Sequence, residues 1–154
     1  MIRHATLDEI AQIRALFEDE VRAGRMLPRS DEDMRATIAD WLVAEKDGQI
    51  VGCVSLVHFN ADLCEVRSLA VHPAHRGNGI AGNLIEAALE MARAQGKNRV
   101  LTLTRAARVF EQKGFRRDNV GHFPEKVWRD CAPCPFRDAC DEVALVYHLR
   151  QETP

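Results

Sequence analysis

No run of apolar residues in this sequence approaches the ~18 residues that a membrane-spanning helix needs, so no membrane partner is expected. The basic excess usual in nucleic-acid binders is missing too. With 21 Lys and Arg against 23 Asp and Glu, the net charge is -2, and no nucleic-acid partner is expected. The opening stretch MIRHATLDEI has no apolar stretch behind its one Arg, so no signal peptide is expected. Its five cysteines, an odd number, read as reduced thiols of a cytoplasmic protein. Internal repeats, low-complexity tracts and flexible linkers are absent. What remains is an ordinary globular composition, 46% hydrophobic and 29% charged over 154 residues. That is one domain's worth of chain, 1–154, with enough apolar residues for a core.

The patterning predicts a mixed α/β domain. MIRHA alternates as a short first strand. Thr6 with Glu9 three residues on forms a capping box, and Leu7, Ile10, Ile13, Leu16 and Phe17 recur at helical spacing to about Val21. Gly24 and Pro28 break the chain, Ser30 caps, and DEDMRATIADWL (31–42) reads as a second helix. Asp47-Gly48 then separates two β-rich runs, a hairpin signal, and a turn at 60–62 leads into LCEVRSLAVHP, so three strands follow as a meander. After a glycine-bearing turn, Ile80, Leu84, Ile85, Ala88, Leu89 and Ala92 form one apolar helical stripe. RVLTLT (99–104) is a fifth strand, RAARVFEQKG a short helix ending at Gly114, FRRDNVGHF extended, and VALVYHL a last strand. The order is β-α-α-β-β-β-α-β-α-β-β, an α+β mixed sheet, in which the strand–helix–strand unit at 65–104 joins parallel strands. A polar segment bearing cysteines, at about 124–142, reads as an insertion.

The stretch HRGNGIAGNLIEAALEMARAQG sets Arg76, Gly77, Asn78 and Gly79 directly before the amphipathic helix. The first N–H groups of a helix have no intrahelical partner and carry partial positive charge. Glycines let a ligand approach the backbone closely. Together with the Arg76 charge this is a cradle for phosphate or pyrophosphate; the plain alternative is a loop whose glycines serve only the turn. It is not a P-loop, because no Lys-Ser/Thr follows the glycines. A dinucleotide fingerprint fails as well: Gly82 falls one place early for its third glycine, and the strand 99–104 ends without the acidic residue.

VRSLAVHPAHRGNGIAGNLIEAALEMA resembles the acetyl-CoA-binding core of the GNAT superfamily of N-acetyltransferases, with Arg76, Gly79 and Ala81 matching its turn. VFEQKGF (109–115) is similar to a later signature of that superfamily, and the element order agrees along the chain. The resemblance implies the GNAT acyl-CoA N-acyltransferase fold and acetyl-CoA as co-substrate. It places the pyrophosphate on the backbone of Arg76, Gly77, Asn78, Gly79, Ile80 and Ala81, and the pantetheine arm along Leu69, Ala70 and Val71. An N–H near Ala70 and Val71 would face the oxyanion of the tetrahedral intermediate. Phe110 stands among the donor-binding positions where many members carry a Tyr that protonates the leaving thiolate, which Phe cannot do.

GRMLPRS, CEVRSLAVHP, LTLT and FPEKVWRDC further resemble the acetyltransferase module of N-acetylglutamate synthases, in particular the short single-domain type. That implies glutamate as the acceptor amine, a place in arginine biosynthesis, and, by analogy with edge strands in this fold, a homodimer. Glu65 matches a position proposed for a general base; the alternative is an ion pair with Arg67 on the same strand face. Arg29 matches the substrate-carboxylate arginine, Arg67 is a second candidate, and Thr104 matches a hydroxyl lining the pocket. Another small amine, amino acid or protein N-terminus is the alternative acceptor, and a non-catalytic module that binds coenzyme A or metal is a third reading.

Cys131, Cys134 and Cys140 follow C-x2-C-x5-C spacing. A C-x2-C pair can put two thiolates on one zinc ion, with His122, His148 or Cys64 as the fourth ligand; three reduced loop cysteines are the alternative.

Overall fold

A computed structural model of the chain describes residues 1–24, 26–134 and 142–150. Among the described residues seven strands make one sheet. They are β1 (Ile2–His4), β2 (Trp41–Lys46), β3 (Gln49–His58), β4 (Leu63–Val71), β5 (Arg99–Thr104), β6 (Arg116–Asp118) and β7 (Val143–His148), in the order β1-β2-β3-β4-β5-β7-β6. The helices are α1 (Ile10–Arg22), α2 (Asp31–Ala36), α3 (Ile80–Ala94), α4 (Ala107–Glu111) and the short α5 (Pro124–Lys126), which runs on into a π-turn at Val127–Cys131. Among the described residues no helix is long and apolar enough to cross a membrane.

Local chemistry explains most of the connections. Asp47 and Gly48 both take positive φ, 52° and 77°, which a two-residue hairpin turn between right-twisted strands requires. The Asn60 side-chain oxygen accepts the N–H groups of Asp62 (2.9 Å) and Leu63 (2.8 Å), closing the next turn. Glu9 accepts the Thr6 N–H at 2.9 Å, as the capping-box spacing predicts. β2, β3 and β4 form the expected antiparallel meander, and α3 joins β4 to β5, which pair in parallel.

One helix is shorter than its pattern predicts. The Ser30 hydroxyl does cap it, accepting the Asp33 N–H at 3.0 Å. The helix nevertheless stops at Ala36 rather than near Leu42, and a single 3-10 turn follows. Trp41 and Leu42 belong to β2, paired with Ser55 and Val54. Fully burying the Trp41 ring and completing the ladder outweigh a further helical turn. The segment after β6 departs from expectation in the opposite sense: its described part is helical over 124–131, with Pro124 at the first helical position.

Alternation along the strands sorts the core into two faces. Leu42 and Ala44 of β2, Cys64 and Val66 of β4 and Val100 of β5 pack with Leu84, Ile85, Ala88, Leu89 and Ala92 of α3. On the other face Trp41, Val43 and Cys53 pack with Ile10, Ile13 and Phe17 of α1 and with Met34 of α2. Further along that second face, Leu63, Leu101, Ala144 and Val146 pack with Phe123. Between these two clusters, on the same face, stand Glu65 and Arg67.

Helix α3 lies so close to the sheet that Gly52 is required. A Cβ there would come 2.9 Å from Leu84 Cδ1, 3.2 Å from Ile80 Cγ2 and 3.3 Å from the Ala70 carbonyl oxygen. Gly52→Ala should therefore destabilise the protein by roughly 1–3 kcal/mol, as overpacking does, read as a lowered urea midpoint with an unchanged m-value.

Candidate active site

The candidate site begins where a ladder ends. β4 and β5 pair only over Leu63–Arg99, Cys64–Val100 and Glu65–Leu101, although both strands run on. A bulge in β4 helps turn it away. Cys53 pairs with Ala70 and Ser55 with Arg67, so two residues, Ser68 and Leu69, stand opposite one. Ser68 takes up the extra length with φ 57°, a conformation that costs a non-glycine residue free energy. The Thr102 hydroxyl donates to the Val66 carbonyl at 3.1 Å across the base of the fork. A cavity of about 620 Å³ opens from there, with Arg29, Glu65, Arg67, Leu69, Thr104 and Phe110 on its walls.

Hydrogen-bond alternation fixes what β4 presents to this fork. The His72 N–H donates to the Val51 carbonyl at 2.8 Å, and Gly52 pairs with Val71. In an antiparallel ladder the Val71 N–H and carbonyl therefore point away from β3. Arg76 Nε donates to that carbonyl at 3.1 Å, while the N–H points into the fork. Next to it, Gly77 and Gly79 adopt φ 85° and 78°, and a Cβ at either would meet nothing within 4 Å. The glycines thus serve backbone conformation beside open space. The first bond of α3 runs from the Asn83 N–H to the Gly79 carbonyl, 3.0 Å, so the N–H groups of Ile80, Ala81 and Gly82 have no helical acceptor and suit an anion.

Arg29 is held from three sides. Its Nε donates to Asp33 at 2.6 Å, its Nη1 to the Ser68 hydroxyl at 3.2 Å and to the Ser55 hydroxyl at 3.4 Å. The guanidinium lies 4.9 Å from the Trp41 ring centroid. Only 11% of the side chain is exposed, and among the described residues Nη2 has no hydrogen-bond partner. Thr104 accepts the Ala106 N–H at 2.9 Å through its hydroxyl oxygen, which leaves the hydroxyl proton free to donate. Phe110 is 2% exposed and packs edge-on against Phe115, centroids 5.2 Å apart.

Glu65 sits at the floor of the cavity, 2% exposed. The ion pair with Arg67 is present: Arg67 Nε donates to Glu65 Oε1 at 2.7 Å. A second cation that sequence reasoning missed is Lys126, whose Nζ donates to the same oxygen at 3.0 Å. Nζ is also 2.9 Å from Oε2, but without hydrogen-bond geometry, so Oε2 is a buried oxygen with no hydrogen bond. Asp130 completes a ring. Its Oδ2 accepts from Arg67 Nη2 at 2.6 Å and from Lys126 Nζ at 3.3 Å. Burial acts to raise the Asp130 pKa, yet the Arg67 and Lys126 charges outweigh it and hold the carboxyl below the ordinary range. Burial likewise opposes the charge on Arg67, and Glu65 and Asp130 more than restore it. The i,i+4 spacing of Lys126 and Asp130 was visible in PEKVWRD; their pairing with a strand 61 residues away was not.

The expectation of zinc is not supported. Among the described residues no group of three or more His, Cys, Asp and Glu could hold a metal ion. Cys140 lies outside the described residues. Of the suggested fourth ligands, Cys64 is packed in the α3 core, and His122 is an exposed side chain bonded to Asp118 at 2.6 Å.

The parted strands beside a helix start offer an open strand edge and an anion site next to each other. The chain belongs to the acetyltransferase (GNAT) family, which it matches over residues 7–115. It is similar to an uncharacterized N-acetyltransferase of Chlorobaculum tepidum, 38% identical over 148 residues and 96% of each chain. An amino-acid acetyltransferase of Mannheimia succiniciproducens is 31% identical over 127 residues, 81% of this chain and 29% of that protein. The crystal structure of N-acetylglutamate synthase from Neisseria gonorrhoeae, complexed with coenzyme A and N-acetyl-glutamate, superposes with a TM-score of 0.84 at 28% identity. That match covers 98% of this chain and 35% of the synthase, so the chain spans about a third of the length of these two larger relatives.

The burial of two thiols yields a simple check. Cys53 and Cys64 are both pushed up to about 12, chiefly by desolvation, so almost no thiolate exists at pH 8. Iodoacetamide at pH 8 should leave both unmodified in the folded protein and alkylate both in denaturant, as read by peptide mass spectrometry; labelling of either at the rate of a free thiol would contradict the packing described.

Proposed function

We propose that this acetyltransferase transfers the acetyl group of acetyl-CoA to the α-amine of glutamate. What carries the reading is the pair of fixed guanidinium groups, Arg29 and Arg67, on the walls of one cavity next to the parted strands. An acceptor with two carboxylates needs two cations at separate places, and arginine forks suit carboxylates. The relatives described above, an amino-acid acetyltransferase and an N-acetylglutamate synthase, support the same acceptor class.

The residues divide the work as follows. The N–H groups of 79–82, with Arg76, bind the pyrophosphate. Leu69, Ala70 and Val71 receive the pantetheine arm along the open edge of β4, and Phe110 packs beside it. Arg29 takes one carboxylate through Nη2, Arg67 takes the other through Nη1, and Thr104 donates its hydroxyl to the acceptor. The amine must be neutral to attack. Glu65, barely exposed, accepts the ammonium proton through a water rather than by direct contact. As the C–N bond forms, the Val71 N–H stabilises the oxyanion, a contribution typically of ~3–4 kcal/mol. The nitrogen of the intermediate gives up its extra proton to solvent, collapse breaks the C–S bond, and the released coenzyme A thiolate takes a proton from solvent because Phe110 has none to give.

The test is an assay of thiol release and product mass over a panel of amines. Glutamate should be the preferred acceptor. Arg29→Ala should raise its KM about 10- to 100-fold, the ~1.5–3 kcal/mol of hydrogen bonds to a charged group, with KM for acetyl-CoA unchanged. Full activity of Arg29→Ala on glutamate, or no turnover of glutamate by the parent protein, would sink this acceptor.

A further inference from the structure

Two charged residues among those described are buried, Glu65 and, at 7% exposure, Lys126. Burial alone would drive a carboxyl toward its neutral form, and a neutral Glu65 could accept no proton. Arg67 by itself compensates incompletely, because it divides its charge between Glu65 and Asp130. Lys126 brings the balance to two cations and two anions within one hydrogen-bonded ring. It arrives on a separate element: α5 and the π-turn place Lys126 and Asp130 four residues apart, and both bond to side chains of β4. The cavity wall also carries the charged side chains of Glu20, Arg29, Arg105, Arg129 and Glu142, but Glu65 has no charged partner within the sheet ladder. Its ladder partners are Val57 of β3 and Leu101 of β5, and the adjoining Cys64 is a buried, protonated thiol.

We propose that Lys126 is a positioning residue of the acceptor site, which keeps Glu65 ionised where water barely reaches and, with Asp130, holds Arg67 turned to the cavity. This rests on the reading of Glu65 as proton acceptor, and it adds a reason for a lysine in a segment that lines the cavity. A lysine that merely stapled this segment to the sheet would leave the titration of Glu65 unchanged once folding was preserved.

The experiment follows the Glu65 carboxyl by carbon-13 NMR, assigned with Glu65→Gln, alongside the pH profile of kcat/KM for the acceptor. In Lys126→Met the loss of one cation within hydrogen-bond reach should raise the Glu65 midpoint by about one unit or more. The acid limb of the profile should move up with it, while KM for acetyl-CoA stays the same. Lys126→Arg should restore both. Should Lys126→Met fail to fold, Asp130→Asn makes the converse test: with one anion gone from the ring, the Glu65 midpoint should fall. A folded Lys126→Met with an unmoved midpoint, or an Asp130→Asn midpoint that stays or rises, overturns the proposal. If the parent protein acetylates no amine, the function proposed above fails, and the carboxyl titration still decides the role of Lys126.

Discussion

Everything at the candidate site follows from two parallel strands that stop pairing. Past Glu65 and Leu101 the β4 and β5 backbones diverge, and groups that would satisfy each other in a ladder are left facing open space. Unpaired backbone groups inside a protein need partners. Here the Val71 carbonyl takes Arg76 and the Val66 carbonyl takes Thr102. The Val71 N–H remains directed into the gap. The bulge at Ser68 serves the same divergence, since it bends β4 away and aims the Ser68 hydroxyl at Arg29. A ligand that can act as an extra strand is what such an edge accepts.

Charge is distributed to suit this geometry. The floor of the cavity is a neutral four-member ring of Glu65, Arg67, Asp130 and Lys126, so none of its charges is buried uncompensated. Arg29 lines the same cavity with its own counter-ion, Asp33, and two serine hydroxyls. Both arginines are therefore held in fixed orientations before any ligand arrives. Preorganisation of this kind lowers the entropic cost of binding. It also ties three distant parts of the chain together: the loop before α2, strand β4 and the segment 124–131.

How far the sequence foretold this depends on whether a feature is local. The Asp47-Gly48 turn, the Ser30 cap, the apolar stripe of α3 and the glycines of the helix start are set by neighbours within a few residues, and each lies where its pattern indicated. The second helix ends short of its pattern because Ile38, Trp41 and Leu42 fit a helical stripe as well as a strand; the competing ladder pairs with Val54 and Ser55 are invisible along the chain. Glu65 was legible as either a base or an ion-paired residue, and its pairing with Arg67, two residues away, was anticipated. Lys126 and Asp130 were not, because nothing in their spacing says which strand they face. The cysteine spacing suggested zinc, yet C-x2-C places two thiols on one turn and needs further ligands that the described fold does not bring near. Acetyl-CoA itself came from resemblance to a family; the residues alone indicated only an anion.

The central claim is that the opened edge of β4 and the start of α3 together hold the acyl donor. The direct measurement is a titration of the nitrogen-15-labelled protein with acetyl-CoA, followed by amide NMR. The account predicts that the Val71 amide and the amides of 79–82 shift together with one binding constant, the Val71 proton moving downfield as it gains an acceptor. Acetyl-CoA binding that leaves these amides unmoved, with shifts gathered elsewhere on the sheet, would contradict it.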